Sequence, residues 1–291
     1  MADESKQRSA FIGQYGPADW LSLKQEVVDE GAFELEGIMP LIASRAQKQS
    51  NMEILDCGTG EGYFANRLHN ATNSTKIVGL DIYLPYLKKA KKLFANSPTC
   101  YLGGNLYETP FWDETFDIVA SQSTFDILNG DLMLKEMVRV LKPGGWMYIS
   151  MAYDSSYPFT PQFDRAVEEK IRQNFDRYGM EWGQRGDIRE GDSRCGRNLW
   201  HSVKKYGMNV LRYIVSDWIL YPNPEYSAKE KAILHLLVDF YYQANKRADD
   251  ENMIDPSILD KWKLKLQKDI DRNFLTCIIH QNSILAEKVS E

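Results

Sequence analysis

From Met52 onward the chain alternates between two hydrophobic periods. MEILDC, KIVGLDI, TCYLGGN, FDIVASQS and WMYISMAY are short apolar runs, and each predicts a strand. GYFANRLHN, PYLKKAKKLFAN and GDLMLKEMVRVL space their apolar positions three and four apart, and each predicts a helix. Pro85 stands where a first helical turn accepts proline. LKPGG reads as the turn before the strand WMYISMAY. Strands alternating with helices predict a parallel sheet with helices on both faces, and the strand interiors are apolar as burial on both faces requires.

The flanks read differently. Residues 17–46 carry apolar positions at helical spacing and predict two helices ahead of the first strand. After Tyr153 the chain turns polar, aromatic and arginine-rich, with a helix expected at Pro161–Phe175 and another at Asn198–Tyr206, ended by Gly207. NVLRYIVSDWIL reads as one strand, residues 227–248 and 256–272 as helices, and FLTCIIHQ as the closing strand. The expected organisation is a helical cap at 1–46, a cofactor-binding core at 47–153, and a continuation at 154–291. That last part supplies a substrate cover, completes the sheet and inserts a helical pair.

Composition narrows the class. The 291 residues are 43% hydrophobic, enough for a sizeable core. A net charge of -6 gives no general pull toward phosphate backbones, so a nucleic-acid partner is not expected. Cys57, Cys100, Cys195 and Cys277 form no CxxC pair and read as reduced thiols of a cytoplasmic protein. MADESKQRSAF lacks the apolar stretch of a signal peptide, and no apolar run reaches the ~20 residues of a membrane span. No metal-binding pattern is present.

The stretch ILDCGTGEGYF runs from a strand through a glycine turn into a helix, the arrangement that holds a nucleotide-like ligand. Its glycines stand at 58, 60 and 62, whereas a dinucleotide fingerprint needs its third glycine at the position of Tyr63. Asp56 ends the strand and Glu61 lies in the turn. Two carboxylates there repel a pyrophosphate and suit a ligand with an ammonium and a sulfonium. Unit charges ~4 Å apart interact by about 1–4 kcal/mol, depending on exposure, enough to choose between the ligand classes. Asp81 ends the next strand, about twenty residues on, where a carboxylate accepts from ribose hydroxyls.

Residues 52–150 resemble the core of class I S-adenosylmethionine-dependent methyltransferases. The motifs ILDCGTGEG, GLDIY, GGNLYETPF, and FDIVASQSTFDIL with LKPGGWMYIS match that family in order and spacing. The resemblance implies an α/β, Rossmann-like, doubly wound sheet of seven strands, mostly parallel with an antiparallel last strand, plus helical cap and insertions. It implies S-adenosyl-L-methionine as cofactor, held by Asp56, Gly58, Thr59, Gly60 and Gly62, with Asp81 on the ribose and Ile82 against the adenine. Asn105 replaces the Asp usual beside Leu106 at the adenine amino group, and its amide oxygen still accepts a hydrogen bond. Ser121 and Gln122 are expected to border the methionine part of the cofactor and the acceptor pocket.

FIGQYGPADW resembles the segment that closes over the cofactor in small-molecule methyltransferases, which places Tyr15 and Trp20 at the site or in plain helix packing. The C-terminal part resembles bacterial methyltransferases of secondary metabolism, with a final strand inserted antiparallel between the fifth and sixth. The expected activity is methyl transfer to a small-molecule acceptor, first an oxygen and alternatively a nitrogen or carbon. The other classes are a non-catalytic S-adenosylmethionine-binding protein and a dinucleotide oxidoreductase. No catalytic base is assigned. Of the four histidines, His201, beyond the arginine-rich stretch, is the one nearest to candidacy. KKAKK at 88–92 reads as the wet face of a helix, and the chain is expected as a monomer or homodimer.

Overall fold

A computed structural model describes residues 37–289 except 50, 75, 181–183, 186, 187 and 190; of 179, 180, 184, 185, 188 and 189 it describes the backbone alone. α1 (Met39–Lys48) leads into β1 (Glu53–Cys57), α2 (Tyr63–Thr72), β2 (Lys76–Asp81), α3 (Leu84–Leu93) and β3 (Cys100–Gly103). β4 (Phe116–Gln122), α4 (Gly130–Val140) and β5 (Leu141–Tyr153) follow. Then come β6 (Phe159–Thr160), α5 (Arg165–Phe175), a short hairpin of β7 (Gln184–Arg185) and β8 (Ile188–Arg189), and α6 (Cys195–Lys205). β9 (Met208–Val215), β10 (Trp218–Leu220), α7 (Ala228–Lys246), α8 (Pro256–Asp271), β11 (Thr276–Ile279) and β12 (Gln281–Lys288) complete the order.

The main sheet runs β3-β2-β1-β4-β5-β12-β9. β1 to β5 pair in parallel, while β12 is antiparallel to both β5 and β9. This is the expected seven-stranded, doubly wound sheet with one antiparallel strand. Alternate side chains enter different cores. Ile54, Ile118 and Tyr148 pack with Phe64 and Leu68 of α2, whereas Leu55, Val119 and Met147 pack with Met133, Met137, Leu199 and Val203 of α4 and α6. Burial on both faces explains the unbroken apolar runs.

Three expectations change. LKPGG is not a turn outside the strand: β5 begins at Leu141, and the register against β4 shifts between Phe116 and Ile118 to absorb the extra residues. NVLRYIVSDWIL breaks at Ser216–Asp217 into β9 of the main sheet and β10 of a second sheet, ordered β10-β11-β6. FLTCIIHQ contributes β11 to that second sheet, and the strand that closes the main sheet is β12.

The second sheet and α5, α7 and α8 form a cap. Its helices begin as their sequences direct. Asp164 accepts from the Ala166 and Val167 amides, and Ser227 with Glu230 makes a reciprocal capping box. Phe175 stacks on Tyr241 at 3.8 Å, and the Trp262 indole donates to the Tyr157 hydroxyl at 2.8 Å. Tyr153, Phe159, Tyr241 and Trp262 are buried. Tyr153 and Phe159 of the aromatic stretch therefore belong to the cap's core.

Candidate functional site

The glycine turn joins β1 to α2 at the carboxyl edge of the sheet. Gly58, Gly60 and Gly62 all have positive φ, at 76°, 53° and 84°. The Gly58 and Thr59 amides donate to Leu80 O at 2.8 and 3.0 Å, tying the turn to β2. Gly58 and Gly62 serve a further purpose: a Cβ at Gly58 would lie 2.5 Å from the Thr124 side chain, and one at Gly62 would lie 2.4 Å from the Tyr101 hydroxyl. Thr124 and Tyr101 thus brace the turn from outside the glycine motif, and nothing in their sequence setting announced them.

Asp81 sits across from the turn. Its two carboxylate oxygens accept from the Gly60 amide at 2.9 Å and the Tyr83 amide at 2.8 Å. These bonds fix its orientation. Ile82 follows it, partly buried.

The two carboxylates of the turn have different fates. Glu61 is buried and pairs with Lys89 of α3 at 2.8 Å, so its charge is already met. The run at 88–92 is thus not a uniformly wet face. Asp56 is 1% exposed, and no hydrogen bond reaches either carboxylate oxygen. Burial pushes its carboxyl up to about 7, and the nearby Asp81 charge adds to the shift. The Thr59 hydroxyl and Ala65 amide lie beside it and oppose the shift, at geometry too poor to satisfy its oxygens. A buried carboxylate without a cation fits a ligand that brings one, which is what an ammonium and a sulfonium would do.

At the end of β4 the expectation for Ser121 is corrected. Its side chain is fully buried, and its hydroxyl donates to Cys57 O at 2.9 Å. Strand alternation turns it inward to bridge β4 and β1. Gln122 is partly exposed and donates to the Met151 sulfur at 3.3 Å. Ser123 and Met151 hold φ of 48° and 56°, left-handed conformations in non-glycine residues at the carboxyl edge.

Asn105 is partly buried, and its amide oxygen accepts from the Tyr107 amide at 3.1 Å, while Leu106 is buried beside it. Tyr15 and Trp20 lie outside the described residues. His201 is exposed on the side of α6 opposite the buried Leu199 and Val203, so helix geometry turns it away from the sheet. His280 is half exposed, with Nδ1 2.8 Å from Asp217 Oδ2. Among the described residues no group of three His, Cys, Asp or Glu could hold a metal, and no helix is long and apolar enough to cross a membrane.

Residues 55–149 match the family model of a methyltransferase domain. An uncharacterized methyltransferase of Schizosaccharomyces pombe is 27% identical over 217 residues, covering 71% of this chain and 80% of that protein. A malonyl-[acyl-carrier protein] O-methyltransferase of Buchnera aphidicola is 29% identical over 136 residues, 46% of this chain and 53% of that enzyme, so the chain spans about half its length. The solved YcgJ protein of Bacillus subtilis shares the fold at 14% identity and a TM-score of 0.52, over 87% of this chain and 98% of that one. Residues 55–149 thus carry a methyltransferase domain of the S-adenosylmethionine-dependent kind, with S-adenosylmethionine as cofactor.

Proposed function

We propose that the enzyme methylates a hydroxyl of a small molecule held between the carboxyl edge of the main sheet and the cap. The observation that carries this reading is connectivity. β5, β9 and β12 each meet the cap at that one edge, through residues 154–158, 216–217 and 280. All three crossings bring the cap to the edge that also bears the glycine turn, where a compact acceptor would sit. A hydrogen-bond donor on the acceptor is supported by Gln281, which stands at the first position of β12, is 5% exposed, and has no partner for its amide oxygen among the described residues. An acceptor hydroxyl or a neighbouring N–H would satisfy it. The O-methyltransferase relative points the same way.

In this reading Gly58, Thr59, Gly60 and Gly62 present backbone to the cofactor, Asp81 takes the ribose hydroxyls, and Ile82, Asn105 and Leu106 border the adenine. Asp56 supplies the negative charge beneath. The cofactor brings a methyl group already activated by positive sulfur. The chain's work is to position the acceptor and exclude water, which together lower such barriers by several kcal/mol. The test is a panel of phenol, alcohol, amine and carbon-acid probes with methyl-labelled cofactor. Label on hydroxyl probes with matching release of S-adenosylhomocysteine is expected. Transfer confined to amines or carbon acids would reject the oxygen assignment.

A further inference from the structure

The two places where the main sheet hands its strands to the cap meet at a side-chain pair. Asp217 lies between β9 and β10, and His280 lies between β11 and β12. His280 Nδ1 and Asp217 Oδ2 are 2.8 Å apart. The other Asp217 oxygen accepts from the Gln281 amide at 3.2 Å, which fixes the carboxylate. The His280 carbonyl accepts from the Asp154 amide at 2.9 Å, and the Gln281 carbonyl accepts from the Ser216 amide at 2.9 Å, which fixes the backbone on both sides. The histidine side chain is 50% exposed and the aspartate 21%. Asp217 thus occupies Nδ1 of a ring that is half exposed.

Register places the pair. Gln281 is opposite Tyr153, the last residue of β5, and β5 pairs with β4, which pairs with β1. Adjacent strands lie about 4.8 Å apart, so three spacings separate the pair from the glycine turn by about 14 Å across the sheet; Gln122 is opposite Ser150, three residues short of Tyr153, which adds roughly 10 Å along the strands and makes about 17 Å in all. That interval accommodates the reacting end of the cofactor and a small acceptor between them. The Arg197–Asp154 ion pair, at 2.5 Å, borders the same corner. A strap between two crossovers needs only the bond itself. It does not need an imidazole at the half-exposed position, where any hydrogen-bonding side chain would serve.

We propose that His280 is the base that takes the acceptor's proton and that Asp217 is its positioning residue. This rests on the oxygen reading given above. The acceptor oxygen forms a bond to the methyl carbon, and the carbon–sulfur bond breaks with its electron pair staying on sulfur. The hydroxyl proton passes to His280 Nε2, and the resulting imidazolium is held by Asp217.

Two measurements test this. In a crystal of the full chain with S-adenosylhomocysteine, the distance from the thioether sulfur to His280 Nε2 should be about 6–8 Å, room for one methyl and one hydrogen-bonded oxygen. A distance beyond about 12 Å would overturn the proposal with no acceptor required. The second measurement uses phenol probes with His280→Gln and Asp217→Asn. For His280→Gln, kcat should fall about 10²–10⁴-fold, with S-adenosylhomocysteine affinity and melting temperature unchanged; Asp217→Asn should give a smaller fall. With p-nitrophenol at pH 9, already ionised, both losses should shrink to within about tenfold. Equal losses on ionised and neutral probes would make the pair structural and overturn the proposal. Hydroxyl turnover untouched by His280→Gln overturns the base alone, whereas turnover of amines only overturns the oxygen reading and the base with it.

Discussion

Lys89 on α3 reaches 2.8 Å to the carboxylate of Glu61, a turn residue whose side chain is 1% exposed. The ion pair links the glycine turn to the helix after β2, so the two cofactor-bearing loops are joined by charge as well as by the Gly60–Asp81 hydrogen bond. It also removes Glu61 from the charges available to a ligand and leaves Asp56 as the turn's uncompensated carboxylate.

Lys89→Met should therefore destabilise the fold by about 2–3 kcal/mol. Stranding one member of a fully buried pair costs about 3–5 kcal/mol, and the 35% exposure of the lysine side chain lets solvent screen part of that. Adding Glu61→Gln should recover most of the loss, since no buried charge is then left unpaired. Urea midpoints of the two single variants and the double variant give the coupling. Strictly additive losses would mean that the pair does not act as a unit.

Asp56 sets a pH dependence of a definite sign. Its folded carboxyl titrates near 7, against an ordinary value near 4, so the fold binds the proton more tightly than the unfolded chain does. The stability it contributes is full below about pH 4 and is lost as pH rises through 7, by up to about 4 kcal/mol. Asp56→Asn lacks this slope. Unfolding free energies of wild type minus variant should accordingly fall between pH 4 and pH 8. A constant difference would show that Asp56 is ionised throughout.

Ser121→Ala separates a structural role from a ligand-binding one. The hydroxyl is spent on the Cys57 carbonyl between β4 and β1. Removing it should cost about 1–2 kcal/mol of stability and leave the cofactor Kd within about twofold. Calorimetric titration with S-adenosylhomocysteine decides the matter, and a tenfold weaker Kd would return Ser121 to the cofactor site.

Much of the sheet was legible because β1 to β5 are buried on both faces, and their apolar runs end at glycine, proline or polar positions. The glycine turn and Asp81 were legible through spacing. The errors cluster where local signals are weak. Between Val215 and Trp218 the sequence offers only the weak turn signal of Ser216 and Asp217; tertiary bonds make the break, with Ser216 donating to Gln281 O and Asp217 receiving His280 and the Gln281 amide. The same bonds split FLTCIIHQ from the true closing strand. One corner thus explains both misread strands, and it holds the candidate base. Tyr101 and Thr124 were missed for a related reason: they contact the turn only once β3 and the loop after β4 are folded against it.

Asp81→Ala should weaken cofactor binding by one to two orders of magnitude. Hydrogen bonds to a charged acceptor are worth about 1.5–3 kcal/mol, and the ribose offers two. The variant also frees the Gly60 and Tyr83 amides that the carboxylate now receives, so the turn itself loses an anchor. Asp81→Asn keeps one acceptor oxygen at nearly the same volume and should lose less, about tenfold. Because the ribose is common to cofactor and product, the affinities for S-adenosylmethionine and S-adenosylhomocysteine should fall in step. Paired titrations of wild type and both variants measure this. A loss confined to S-adenosylmethionine would mean that Asp81 answers the sulfonium charge, and an unchanged Kd for both would place the ribose elsewhere.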